Sequence, residues 1–232
     1  MTGDLNVFEY YFIYFIVPIL ITLWAQTSVR SAYEKYSRVR SERGLTGYDT
    51  ARRILDSNGL SEVAIECIPG RMTDHYDPRE NVIRLSEGVY SSSSIAACGI
   101  AAHEAGHALQ YAQEYGPIKL RTAVIKSANI GSQIAMPLFI LGLILALPGL
   151  CYVGIIAFSA AVLFQLITLP VEFNASRRAV ACIERFCPSD EELKGVKKVL
   201  SAAAMTYVAS LAVSLLSLIR LISIVQGGNR RR

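Results

Sequence analysis

The feature that most constrains this chain is a run from Ser127 to Val171 that contains no charged residue. As a single helix it would be about 68 Å long at 1.5 Å per residue. The hydrocarbon core of a bilayer is only about 30 Å thick. The run must therefore fold back once. Leu147-Pro148-Gly149, near its middle, is the expected turn, because Pro-Gly interrupts helices. The expectation is a transmembrane helical hairpin within 127–169, with arms at roughly 130–147 and 150–169.

Two further charge-free runs flank it, Tyr10 to Val29 and Val199 to Ile219. The first is long enough to span a bilayer and predicts a transmembrane helix over 7–29, with Tyr and Phe at its start forming an interfacial belt. The residues before it include Asp4 and Glu9 but no Lys or Arg, so a retained anchor fits better than a signal peptide. The last run is rich in Ala and Ser and is the weakest of the spans. It predicts a fourth transmembrane helix over 199–225, or a helix packed on the other three. The chain is 52% hydrophobic with a mean hydropathy of +0.36, a balance that soluble domains do not usually reach. The fold class expected is a mainly α membrane protein with four transmembrane helices and a small α+β cytoplasmic portion.

Charge sets the orientation. Arg30, Lys35, Arg38, Arg40 and Arg43 follow the first span and no base precedes it, so residues 30–126 belong in the cytoplasm. Lys119, Arg121 and Lys126 before the hairpin and Arg177 and Arg178 after it agree. Arg220 and the terminal Arg230 to Arg232 disagree with a fourth full span. The net charge of +4 includes no long basic run with interleaved aromatics, so nucleic acid is not an expected partner, whereas the lipid bilayer is. The sequence specifies no oligomeric state. The five cysteines, Cys67, Cys98, Cys151, Cys182 and Cys187, have no CxxC spacing and read as apolar fillers.

Within 30–126, Thr46 and Asp49 have capping-box spacing for a helix ending near Asn58-Gly59. Val63–Ile68 and Val82–Leu85 read as strands, with a turn-rich segment between them. Ser91 to Ser94 offer hydroxyls to cap a helix over 95–113. That helix carries His103-Glu104-Ala105-Gly106-His107. Histidines four apart on a helix share one face, one turn apart, and two neutral imidazoles so placed can hold one zinc ion. Glu104, beside the first of them, can accept a proton from a zinc-activated water and pass it to a leaving amine. This is the HExxH signature. The bland alternative is a pair of satisfied core histidines, but the chain has only three histidines and two of them are in the motif. Ala101, Ala102, Ala105, Gly106 and Ala108 leave room around a metal.

A catalytic zinc needs a third protein ligand and an open fourth position. Gln110 and Gln113 stand where a metzincin would have Gly and His. Glu114 lies about two turns beyond His107, too far along the axis. Asp-Gly, wanted by site-2 proteases, does not occur in the sequence. Glu172, just past the hairpin and returned to the cytoplasmic side, is the preferred third ligand. Its bland reading is an interfacial acid paired with Arg177 or Arg178. His75 and Glu184 are weaker alternatives. A substrate strand could pair with the Val82–Leu85 region.

Leu23-Trp24-Ala25-Gln26, Asp74-His75-Tyr76-Asp77-Pro78, Val82-Ile83-Arg84-Leu85-Ser86, the HExxH segment and Leu169-Pro170-Val171-Glu172-Phe173-Asn174-Ala175-Ser176-Arg177-Arg178 together resemble the YugP-type neutral zinc metallopeptidases of bacteria. More distantly the chain is similar to the HtpX and CAAX prenyl protease group of membrane gluzincins. The resemblance implies a zincin-like portion over 30–126, a helix over 170–198 bearing the third ligand, and His103, His107 and Glu172 on one Zn2+ per chain, with Glu104 as general base. It departs from the distant group at Ser176, where an acid that orients a ligand imidazole is usual, and leaves Asn174 or Asp74 for that role.

The function expected is a zinc-dependent endopeptidase (a hydrolase) of the bacterial cytoplasmic membrane. It would be multi-pass, with its active site on the cytoplasmic side, acting on membrane or membrane-proximal proteins. The alternative is a non-catalytic zinc-binding membrane adaptor, against which the intact Glu104 argues. A transporter is disfavoured because the spans carry almost no ionisable groups.

Overall fold

A computed structural model describes residues 6–186 and 189–229. Asp4, Cys187 and Arg230 to Arg232 lie outside the described residues. The chain is a mainly α membrane protein. Among the described residues, four helices are long and apolar enough to cross a membrane, and one small sheet accompanies them.

The helices run α1 Val7–Tyr11, a π-helical segment Phe12–Ile16, α2 Val17–Tyr36, α3 Gly47–Ser57, α4 Glu87–Tyr90, α5 Ile95–Ala112, α6 Gly116–Ile144, α7 Pro148–Glu184 and α8 Asp190–Asn229. The strands are β1 Ala64–Ile68, β2 His75–Asp77 and β3 Val82–Ser86. The chain divides into two compact units. One comprises the residues up to Ala25, Leu120–Leu169 and those from Thr206, and the other Gln26–Lys119 and Pro170–Met205.

In the first unit the hairpin turns at Leu145-Ala146-Leu147, where Ala146 takes a left-handed φ of 52°. Pro148 opens α7 rather than closing α6. Proline at a helix start gives up only an N–H that has no helical partner there. The arms approach closely through small residues: a Cβ on Gly154 would stand 2.8 Å from the Ala135 carbonyl oxygen and 2.9 Å from the Phe139 nitrogen. Without a hydrophobic force between helices in lipid, such close backbone packing is what holds them together. Phe139, Cys151 and Ile155 form a cluster with Leu221 and Val225 of α8. The expectation that the last span is the weakest is overturned, because the most apolar window of α8 equals that of α7 and exceeds that of α6. Its Ala and Ser residues are offset by the Leu- and Ile-rich run that follows.

In the second unit Thr46 caps α3 and exchanges hydrogen bonds with Asp49 in a full capping box. Ala51, Ile54 and Leu55 then fall on the buried face. Arg52 donates to the carbonyls of Leu60 and Val63 and so closes the loop into β1. The sheet order is β1-β3-β2, with β1 parallel and β2 antiparallel to β3. The central strand β3 is buried apart from the half-buried Arg84, whose guanidinium pairs with Glu66 of β1. Val82–Arg84 is therefore paired on both sides, by β1 and by β2, and the Val82–Leu85 strand is the centre of the sheet rather than an edge for a substrate, contrary to the sequence expectation. The outer edges belong to β1 and β2. The latter is hidden in a turn-rich segment of the sequence, because three residues are too few to show a period of two.

Helix α5 begins at the Ser94 cap, whose hydroxyl accepts from the Ala97 N–H. It crosses the core formed by Ile54, Leu55, Ile83, Leu85, Val89 and Val196. Ala101, Ala102, Ala105 and Ala108 lie in this core, so their small size serves helix packing rather than space around a metal. Helix α7 continues through Pro170 to Glu184 without a break, and α8 begins at Asp190. Residues 170–184 are the end of α7, and α8 runs from Asp190 through 199–225.

Candidate metal centre

Helices α5 and α7 supply the site. His103 and His107 project from one face of α5 with ring centroids 4.7 Å apart and planes at 82°. Glu172, 2% exposed, enters from α7. Its Oε2 stands 3.3 Å from His103 Nε2 and 3.6 Å from His107 Nε2. Two zinc ligands at about 2.1 Å in tetrahedral array lie ~3.4 Å apart. The two distances from Glu172 Oε2 to the imidazole nitrogens therefore match edges of a zinc tetrahedron. Among the described residues they are the His, Cys, Asp and Glu group whose ligand atoms all fall within 4.8 Å of one another. The residues present thus fit the ion.

The other candidates are elsewhere. His75 is exposed on β2, its Nδ1 2.7 Å from the Thr73 carbonyl oxygen. Glu114 takes a left-handed φ just past α5 and pairs with Lys119 at 3.0 Å. Glu184 ends α7, three turns beyond Glu172. Glu104, next to His103 in the sequence, is buried, 8% exposed. Burial opposes a proton on His107, but the Glu172 and Glu104 carboxylates outweigh it, and its pKa sits above the ordinary imidazole value.

The backs of both rings are held by neutral side chains. Ser176 Oγ lies 3.2 Å from His103 Nδ1, at the position where the distant group carries an acid. Gln110 Oε1 lies 3.0 Å from His107 Nδ1. The Gln110 amide also donates to the Val171 carbonyl at 2.8 Å and to Asn174 Oδ1 at 3.0 Å. Asn174 in turn accepts from Arg178 Nε at 2.6 Å. Asn174 therefore reaches the histidine only through Gln110. Asp74 instead accepts from the Ser86 N–H at 2.7 Å and its hydroxyl at 3.0 Å, anchoring β3. Gln110 and Ser176 are the site residues that sequence reasoning missed. The available signal was spacing: Gln110 lies three residues after His107, on the same helix face.

The sequence matches, over residues 11–226, the family described as "putative neutral zinc metallopeptidase". It is 52% identical over 210 residues to the "putative membrane protease YugP" of Bacillus subtilis (strain 168), covering 90% of this chain and 93% of the relative. No solved structure matches it.

Proposed function

The chain belongs to the "putative neutral zinc metallopeptidase" family, and on that premise we propose that it is a membrane zinc endopeptidase whose single ion is held by His103, His107 and Glu172. The observation that carries this reading is the spacing of Glu172 Oε2 from the two imidazole nitrogens, 3.3 and 3.6 Å. When bound, zinc supplies a Lewis acid that makes water nucleophilic near neutral pH.

The protein's part is the proton. Glu104 lies next to the first ligand and is held in a buried position. Its carboxylate acts as general base, taking the proton of the attacking water on one oxygen and delivering it to the leaving amide nitrogen. The two imidazoles remain neutral and present Nε2, while Glu172 supplies the one anionic ligand. This His2Glu set is that of a gluzincin. A purely structural site, as in an adaptor, has no use for such a base.

The protease sits in the bacterial cytoplasmic membrane and works at its cytoplasmic side on membrane or membrane-proximal proteins. The bases that follow the first span, Arg30, Lys35, Arg38, Arg40 and Arg43, support that side. Cys67 is exposed. In a chain carrying Cys187→Ser, an impermeant maleimide should label it only after the cells are opened. Labelling of intact cells would reverse the orientation.

The deciding experiment pairs metal analysis with cleavage of a membrane-protein substrate. Wild type should hold one zinc and cut. Glu104→Gln should keep the zinc and lose cutting by at least about a hundredfold, the scale of general-base catalysis. Undiminished cutting by Glu104→Gln would refute the mechanism, and a metal-free wild type would refute the whole reading.

A further inference from the structure

Gln110 is fully buried, and its three hydrogen-bond partners together permit one orientation of its amide. Arg178 has donors and no acceptor, so the Asn174 atom facing its Nε must be the oxygen. That same oxygen faces the Gln110 amide, as does the carbonyl oxygen of Val171. Two acceptors on one side require Gln110 to turn its NH2 towards them. Its Oε1 is then left facing His107 Nδ1. An amide oxygen can only accept, so Nδ1 of His107 must carry the proton. The Nε2 lone pair is thereby freed on the side of Glu172.

We infer that Gln110 is a positioning residue for the metal: it imposes on His107 the tautomer and ring orientation that a zinc ligand needs, using a donor–acceptor polarity passed from Arg178 through Asn174 and reinforced by the Val171 carbonyl. His103 is held differently. The Ser176 hydroxyl beside its Nδ1 can donate or accept and so imposes no tautomer. The two ligand histidines are therefore unequal, one set by the protein and the other free to follow the ion. Val171 adjoins Glu172, so the same side chain that orients His107 on α5 also grips the α7 backbone next to the third ligand. This inference rests on the zinc reading of the same site.

The test uses the full-length protein in detergent, titrated with Zn2+ against a chelator and with Co2+, whose d–d bands report coordination geometry. Gln110→Leu keeps the volume but removes the acceptor. It should weaken zinc binding by about 10–100-fold, the usual cost of losing a group that orients a ligand, and should alter the cobalt spectrum. Gln110→Glu keeps an oxygen facing Nδ1–H and should retain the wild-type spectrum with an affinity within a few-fold. A packing role would reverse the order, because leucine suits a buried site and a carboxylate set against the Val171 and Asn174 oxygens does not. Wild-type affinity and spectrum in Gln110→Leu, or loss of the spectrum in Gln110→Glu, would overturn the inference while leaving the zinc reading intact. If Gln110→Leu does not fold, Gln110→Glu alone decides by the same spectrum. A wild type that binds neither ion would overturn both.

Discussion

Gly106 and Ala175 bring the motif helix and the Glu172 helix into backbone contact: a Cβ on Gly106 would stand 2.6 Å from the Ala175 carbonyl oxygen. Gly106 directly precedes His107, and Ala175 lies one turn after Glu172 and is fully buried. The close approach at this point brings the Glu172 carboxylate within reach of the two imidazoles.

Gly106→Ala should therefore push α7 away from α5. A displacement of about 1 Å at a catalytic site can cost about a hundredfold in rate, and cleavage should fall by that order with zinc bound more weakly. Gly99→Ala, on the same helix, is the control. Its Cβ would meet Val196 Cγ1 at 3.6 Å, an ordinary contact, and helix propensity favours alanine by about 1 kcal/mol. The melting temperature should fall in Gly106→Ala and rise in Gly99→Ala, and only Gly106→Ala should slow cleavage.

On the proposed zinc reading, Glu172→Ala removes the anionic ligand and leaves two imidazoles, too few for a tight zinc site. Purified variant should contain little zinc beside wild type. A ligand present at a hundred times its Kd stabilises a fold by about 2.7 kcal/mol, so chelation should lower the wild-type Tm and leave that of Glu172→Ala unchanged. Equal zinc in both proteins would move the third ligand elsewhere.

Asp77 accepts from the Arg79 side chain and backbone N–H and also faces Arg84, and these contacts lower its pKa to about 2. Since the folded value lies below the unfolded value of about 3.9, the stability it contributes is complete above pH 4 or so and is lost as pH falls through about 2. Asp77→Asn should lower the Tm modestly at neutral pH and flatten its decline between about pH 4 and pH 2. Arg79 is exposed, so the effect should shrink in high salt. Parallel acid titrations of the melting temperature check this.

Gly154→Ile should wedge the hairpin open, because even its Cβ would lie 2.8 Å from the Ala135 carbonyl oxygen and 2.9 Å from the Phe139 nitrogen, both of them backbone atoms. The detergent melt should shift down. Gly149→Ala is the control, since its Cβ would meet nothing within 4 Å.

Several features were legible without the fold because their causes are local. The length of the charge-free run dictates a hairpin, Thr46 and Ser94 mark helix starts, and four-residue spacing alone puts His103 and His107 on one helix face. Other features depend on which distant backbones meet. That Glu172, and neither His75 nor Glu184, stands against the two imidazoles follows from the approach of α5 to α7 at Gly106 and Ala175. The burial of Val82–Leu85 as the central strand and the orientation of Gln110 are likewise tertiary. Propensity and periodicity act over one or two turns of chain. The separation between groups on different helices is set instead by the side-chain volumes packed between them.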